Sequence, residues 1–187
     1  MLDEKETFLR FGKSFQENLC QLMLDDRPFC DQVSEVINTS FFELKYLQVF
    51  IEVLLAYREK YRSHPNYEIM MTELKSGMQN QDKVVADQVR HFYARIYNSE
   101  GVQEAEYVKD KAIDFCRKQT LKGAMMKSVK LLKSSSFDEI SKVIEDAMKL
   151  GTDNNFGHDY HVDALKRFER IHRSPVSTGW ERIDDIV

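Results

Sequence analysis

The chain has 187 residues, 42% of them hydrophobic and 31% charged, which suits a globular protein with one buried core and an appendage. A formal net charge of −4 argues against a strong nucleic-acid binder, and three cysteines without a CxxC pair argue against a disulfide framework or a structural zinc site. No apolar run approaches the length of a membrane span, and the acidic start MLDEKETF lacks the basic and apolar regions of a secretory signal. A cytosolic protein with reduced, mostly buried thiols is expected. Seven glycines and three prolines leave long uninterrupted stretches, so the expected fold class is all-α.

In chain order, Ser14 and Glu17 form a capping box that opens a helix carrying Phe15, Leu19 and Leu22 at helical spacing, with Gly12 just outside and a stop near Asp25. Pro28 suits the start of a second helix with Phe29, Val33 and Val36 on its buried stripe, ended by Asn38, Thr39 and Ser40. Phe41 and Phe42 lead into a helix over 43–61 whose Leu44, Leu47, Phe50, Ile51, Leu54 and Leu55 cover more than one stripe, which marks a central helix. The segment 63–66 breaks it, and Asn66 caps a helix with Tyr67, Met70, Met71 and Leu74 that ends at Gly77. A fifth helix over 82–97 carries Val85, Val89, Phe92 and Ile96, and 98–101 closes a helical globule over 1–101.

A helical hairpin is expected over 102–151. Its long arm holds one apolar row of Val108, Ala112 and Phe115 and a second of Leu121, Met125, Ser128 and Leu132. Gly123, which costs on the order of 1 kcal/mol in a helix interior, marks a bend or a close helix crossing. Ser136 and Glu139 form another capping box, and Phe137, Ile140, Ile144 and Met148 line the returning helix. Over 152–175 a polar linker precedes a short helix with Val162, Leu165, Phe168 and Ile171, and Pro175 ends it. The last segment, 176–187, reads VSTGWERIDDIV, like the opening of a RecA-type ATPase domain that continues past Val187. No GxxxxGK[ST] loop occurs, so this segment of chain lacks a nucleotide phosphate cradle, and ATP hydrolysis by it alone is not expected. His158 and His161 lack a third ligand for a metal, and no catalytic, cofactor or metal residue is assigned.

Several features recur in one order: a first helix ending in an acidic turn before Pro28, the pair Phe41 and Phe42, and a central helix followed by His64, Pro65 and Asn66. The arm EYVKDKAIDFCRKQ from Glu106, the linker helix and STGWERID complete the series. In this order the chain resembles the N-terminal region of DnaB-like replicative DNA helicases, in particular their T4-helicase-like bacteriophage branch. The resemblance implies a collar that arranges subunits as dimers, a trimer of dimers or a hexamer above a ring of ATPase domains. It maps the hairpin onto 104–150 and the linker helix, which docks on a neighbouring subunit's motor, onto 160–173. It further implies a platform for primase or a loader. In the full-length parent it implies ATP and magnesium, single-stranded DNA, and 5′ to 3′ unwinding in the cytoplasm, a host's if the chain is phage-encoded. Two other readings stay open: a free-standing helical adaptor that binds a RecA-like ATPase, and the leading segment of a recombinase or clock-type ATPase. Whether the reading frame continues into a phosphate loop separates the first from the collar.

Three residue sets are candidates for function. Val162, Leu165, Phe168 and Ile171 form a single apolar row that buries either against another chain or domain or back onto its own globule. Lys118, Lys122, Lys127 and Lys130 belong to a basic run that faces single-stranded DNA or an acidic partner, or is simply solvated. Phe115, Leu121, Met125 and Leu132, with Phe137, Ile140 and Ile144, form either the hairpin's own interior or its contact with a second hairpin.

Overall fold

The computed structural model describes residues 6–79, 81–132 and 136–149, and every regular element among them is helical. The protein is all-α. After a 3-10 turn at Phe8–Phe11 come α1 (Gly12–Asp25), α2 (Arg27–Ser34), a second 3-10 turn at Thr39–Phe41 and α3 (Lys45–Tyr61). Then follow α4 (Tyr67–Gly77), α5 (Lys83–Tyr97), α6 (Ala105–Leu132) and α7 (Phe137–Lys149). No helix among the described residues is long and apolar enough to cross a membrane. The linker helix expected over 160–173 and the STG segment lie outside the described residues.

Helix α3 is central, as its breadth of apolar positions demands: Leu47, Phe50, Ile51 and Leu54 are fully buried and the helix packs against α1, α4 and α5. Local signals set several boundaries. Asp26 caps α2 by accepting the Phe29 N–H at 2.9 Å with Pro28 in the first turn, and Asn66 caps α4 by accepting the Ile69 N–H at 2.9 Å. Chain reversal after α3 is made by Arg62 in the left-handed region (φ 51°), its N–H closing on the Arg58 carbonyl at 2.9 Å.

Elsewhere the tertiary fold overrides the local reading. Helix α1 starts at Gly12 rather than Ser14, and no side chain caps it. Glu17 is drawn away from the capping box because it receives the Tyr46 hydroxyl at 2.6 Å and pairs with Arg95 at 2.6 Å, joining α1 to α3 and α5. Gln16 is buried beside it and accepts the Glu43 N–H at 3.0 Å, which anchors the chain just ahead of α3.

The two glycines of interest both depart from their expected roles. Gly77, expected as a C-terminal cap, lies within α4, where an added Cβ would sit 2.7 Å from Val53 Cγ2; it is small because α3 crosses there. Gly123, expected at a bend or crossing, is exposed with nothing within 4 Å of its Cβ position. Ala at position 77 should therefore destabilise the fold by about 1 kcal/mol, overpacking against stiff Val53 outweighing the gain in helix propensity. Gly123→Ala should stabilise it by about 0.5–1 kcal/mol. Urea melts of the two variants check the opposite signs.

Asp26 also pairs with Lys109 of α6 at 2.8 Å. Burial by itself would raise its carboxyl; the hydrogen bonds from Lys109 and the Phe29 N–H outweigh that and hold it below the usual carboxylate range. A lowered folded value stabilises at pH above the unfolded carboxyl value of about 4, and this contribution is lost as pH falls through the folded value. Asp26→Ala should cost about 1–2 kcal/mol at pH 7, and its deficit against the parent should shrink in melts at progressively lower pH below about 4.

Candidate assembly surface

Helix α6 serves two structures in succession. Its first half belongs to the globule: Val108, Ala112, Phe115 and Cys116 are buried in the common core, against α1 and α2. Phe115 was expected in the hairpin rows, but its ring lies 4.6 Å from Phe8 and meets Phe41 edge-on at 5.3 Å. This side chain is spent inside the globule, so it forms neither the hairpin's interior nor an outward contact.

The second half of α6 pairs with α7. The buried positions are small, Ala124 and Ser128 on α6 and Ala147 on α7, and they let the two helix axes approach closely. Ser128 remains satisfied there by donating its hydroxyl to the Ala124 carbonyl at 2.8 Å. Ile140 and Val143 are half-buried on the facing side of α7 and Ile144 at its border, and Leu121 and Leu131 are half-buried on α6. The row expected as Leu121, Met125, Ser128 and Leu132 is thus split. Ser128 turns inward, while Met125 and Leu132 turn out.

What turns out is large and apolar. Met125 is 54% exposed, Val129 60%, Leu132 55%, Phe137 70% and Met148 64%. Leu121, Met125, Val129 and Leu132 share one stripe, rotated by about 90° along the chain sense from the row of Ala124, Ser128 and Leu131. Phe137, Ile144 and Met148 are rotated by about 90° in the same sense from Ile140, Val143 and Ala147. In an antiparallel pair of helices, equal rotations in the chain sense reach the same side. The hairpin therefore carries one continuous apolar face drawn from both helices.

The lysines do not form one face. Lys118 and Lys127 are half a revolution apart, about 180°. Lys118 pairs with Asp114 at 2.7 Å and Lys122 with Glu6 at 3.4 Å, bordering the apolar face. Lys127 and Lys130 point away from that face and have no ion pair among the described residues. Val162, Leu165, Phe168 and Ile171 lie outside the described residues.

No thiol among the described residues is primed for covalent chemistry. The three cysteines are free and buried, and burial pushes the Cys116 thiol up to about 12. Burial likewise raises Cys30 to about 11 against the lowering effect of Arg58. Both stay protonated and inert near neutral pH.

One residue of the face, Val129, was not singled out from sequence, and Met148 was placed on the apolar row of the returning helix but not among the candidate contacts. Spacing carries the signal, since Val129 follows Met125 by four and precedes Leu132 by three, but Ser128 beside it diverts the pattern onto the wrong row. His64, which the sequence assigned no partner, is held at both ring nitrogens, by the Leu24 carbonyl at 2.8 Å and Arg58 at 2.9 Å. No sequence signal joins residues so far apart.

The sequence matches no protein-family model and no curated protein. The two regions of α6 should respond differently to substitution. Phe115→Ala should lower folding stability by about 3–5 kcal/mol, whereas Val129→Asp, at an exposed position of the isolated chain, should change it by less than about 0.5 kcal/mol. Urea denaturation at low protein concentration measures both.

Proposed function

We propose that the chain is the assembling collar of a hexameric ATP-driven motor, the N-terminal part of a DnaB-like replicative helicase, and that its hairpin pairs with the hairpin of a second copy. The single observation that carries the reading is the continuous apolar face of α6 and α7, with Met125, Val129, Leu132, Phe137 and Met148 in water although the globule's own core is complete without them. Burying side chains of this size contributes about 1.5–3 kcal/mol each when complete.

The rim supports a second copy as the occupant. Lys118 and Lys122 border the face along α6, and by the same helical geometry Asp138 and Glu145 border it along α7. A two-fold axis along the hairpin seats α6 on the partner's α7, so Lys122 of each copy, toward the base of the hairpin, lies on the same edge as Glu145 of the other. In this reading the row of Val162, Leu165, Phe168 and Ile171 docks on a neighbouring subunit, and ATP and magnesium belong to the ATPase domains of the motor. The collar receives primase or a loader, and the parent enzyme translocates 5′ to 3′ on single-stranded DNA in the cytoplasm.

Sedimentation of the 187-residue chain over a wide concentration range tests this. The expected result is a mass that rises to a dimer or higher, with association weakened at least tenfold by Val129→Asp or Met125→Asp while the circular dichroism melt is unchanged. A monomer at every concentration that is indifferent to both substitutions overturns the pairing. A monomer that instead captures a purified RecA-like ATPase through the same face makes it an adaptor.

A further inference from the structure

Away from the hairpin, the junction of α2, the end of α3 and the loop before α4 encloses a cleft of about 190 Å³ lined by Arg27, Asp31, Arg58, Arg62, Ser63 and His64. Every lining residue is polar, and three of the six are guanidinium groups. Their engagements differ.

Arg58 forms the floor. One of its terminal nitrogens bonds the Asp31 carboxylate and the other reaches His64 Nδ1 at 2.9 Å. His64 Nε2 faces the Leu24 carbonyl at 2.8 Å, an acceptor, so Nε2 carries the proton and Nδ1 accepts from Arg58. The guanidinium is thereby held in one orientation by partners on both sides. Asp31 is committed too: one oxygen takes Arg58 and the other lies 3.8 Å from Arg27 Nε. One carboxylate thus stands against three guanidiniums, and two positive charges remain over.

Arg62 has the position that glycine favours, the left-handed residue after a helix (φ 51°), and an L side chain is disfavoured there. That backbone geometry brings a third guanidinium to the mouth of the cleft, where it makes no hydrogen bond or ion pair with any described residue. The Ser63 hydroxyl beside it is likewise unengaged among the described residues.

We propose that this cleft binds the dianionic phosphate group of a small phosphorylated molecule, or inorganic phosphate itself. Arg62 and Arg27 supply the charge, the Ser63 hydroxyl supplies a further donor, and the His64–Arg58–Asp31 chain holds the floor rigid. Two uncompensated positive charges match a dianion, and the planar guanidinium fork matches its oxygens. The cleft is smaller than the roughly 300–1,000 Å³ that enclose whole small-molecule ligands. The phosphate enters and the group carrying it stays in solvent.

The test follows the His64 ring signals by NMR while the chain is titrated at constant ionic strength with inorganic phosphate and with a nucleoside 5′-monophosphate, and separately with sodium chloride alone. Both phosphates should shift the signals saturably, within a fewfold of each other, and chloride should not. If only the nucleotide saturates, recognition of the carrier rather than of phosphate is responsible and the assignment is wrong. Arg27→Gln and Arg62→Gly should each weaken phosphate at least tenfold, while Arg90→Gln, on α5, should leave it unchanged. Arg62→Gly should also raise the melting temperature, because glycine relieves the left-handed backbone; lost binding in a more stable protein cannot be a folding defect. Shifts that fail to saturate, that chloride reproduces, or that survive both substitutions overturn the proposal.

Discussion

Phe8 is the constraint on which the arrangement depends. Its ring is wholly buried and lies within 4.6–6.4 Å of Phe11, Phe15, Phe41, Phe42 and Phe115. Those five come from the first turn, α1, the segment before α3 and α6, so one side chain holds together parts of the chain that are distant in sequence. Aromatic pairs at such separations contribute about 0.5–1.5 kcal/mol each beyond the area they bury. More importantly, the cluster fixes where α6 crosses the globule, and hence where it departs.

Polar ties reinforce the same junction. Asp26 joins the turn between α1 and α2 to Lys109 of α6, while Glu6 receives Gln119 at 3.1 Å and Lys122 at 3.4 Å. Such partly exposed contacts add little stability individually, yet Asp26 holds the start of α6 and Glu6 meets it along the stretch where it passes from the core to its pairing with α7. A helix clamped at its base by a packed core is a stiff support for whatever its far end presents. Side chains on such a support meet a partner without first having to be ordered, which lowers the entropic cost of association.

The candidate surface was half legible in the sequence. Leucine, methionine and phenylalanine recurring at helical spacing on 121–148 are enough to mark a hairpin with apolar rows. Which row faces the other helix is not contained in hydrophobicity, because close approach selected the small residues Ala124, Ser128 and Ala147 rather than the largest ones. The bulkier Met125 and Leu132 were left outside for that reason. Phe115 escaped its expected place because periodicity identifies a face of a helix without identifying what covers it. Glu17 illustrates the polar counterpart: a capping box is a local preference of about 1 kcal/mol, and two tertiary partners, Tyr46 and Arg95, compete for the same carboxylate.

The sequence by itself determined the helical class and most boundaries, since Pro28 acts through its own fixed φ, Asp26 and Asn66 act through bonds to residues three away, and the apolar repeat sets helix length. It determined α3 as the centre, because a helix apolar around most of its circumference has nowhere else to lie. Only the tertiary structure decided that α6 is shared between globule and hairpin, that Gly77 rather than Gly123 sits at a crossing, and that His64, Arg58 and Asp31 converge on one cleft. These depend on distances between residues far apart along the chain, and such distances follow from how whole helices pack.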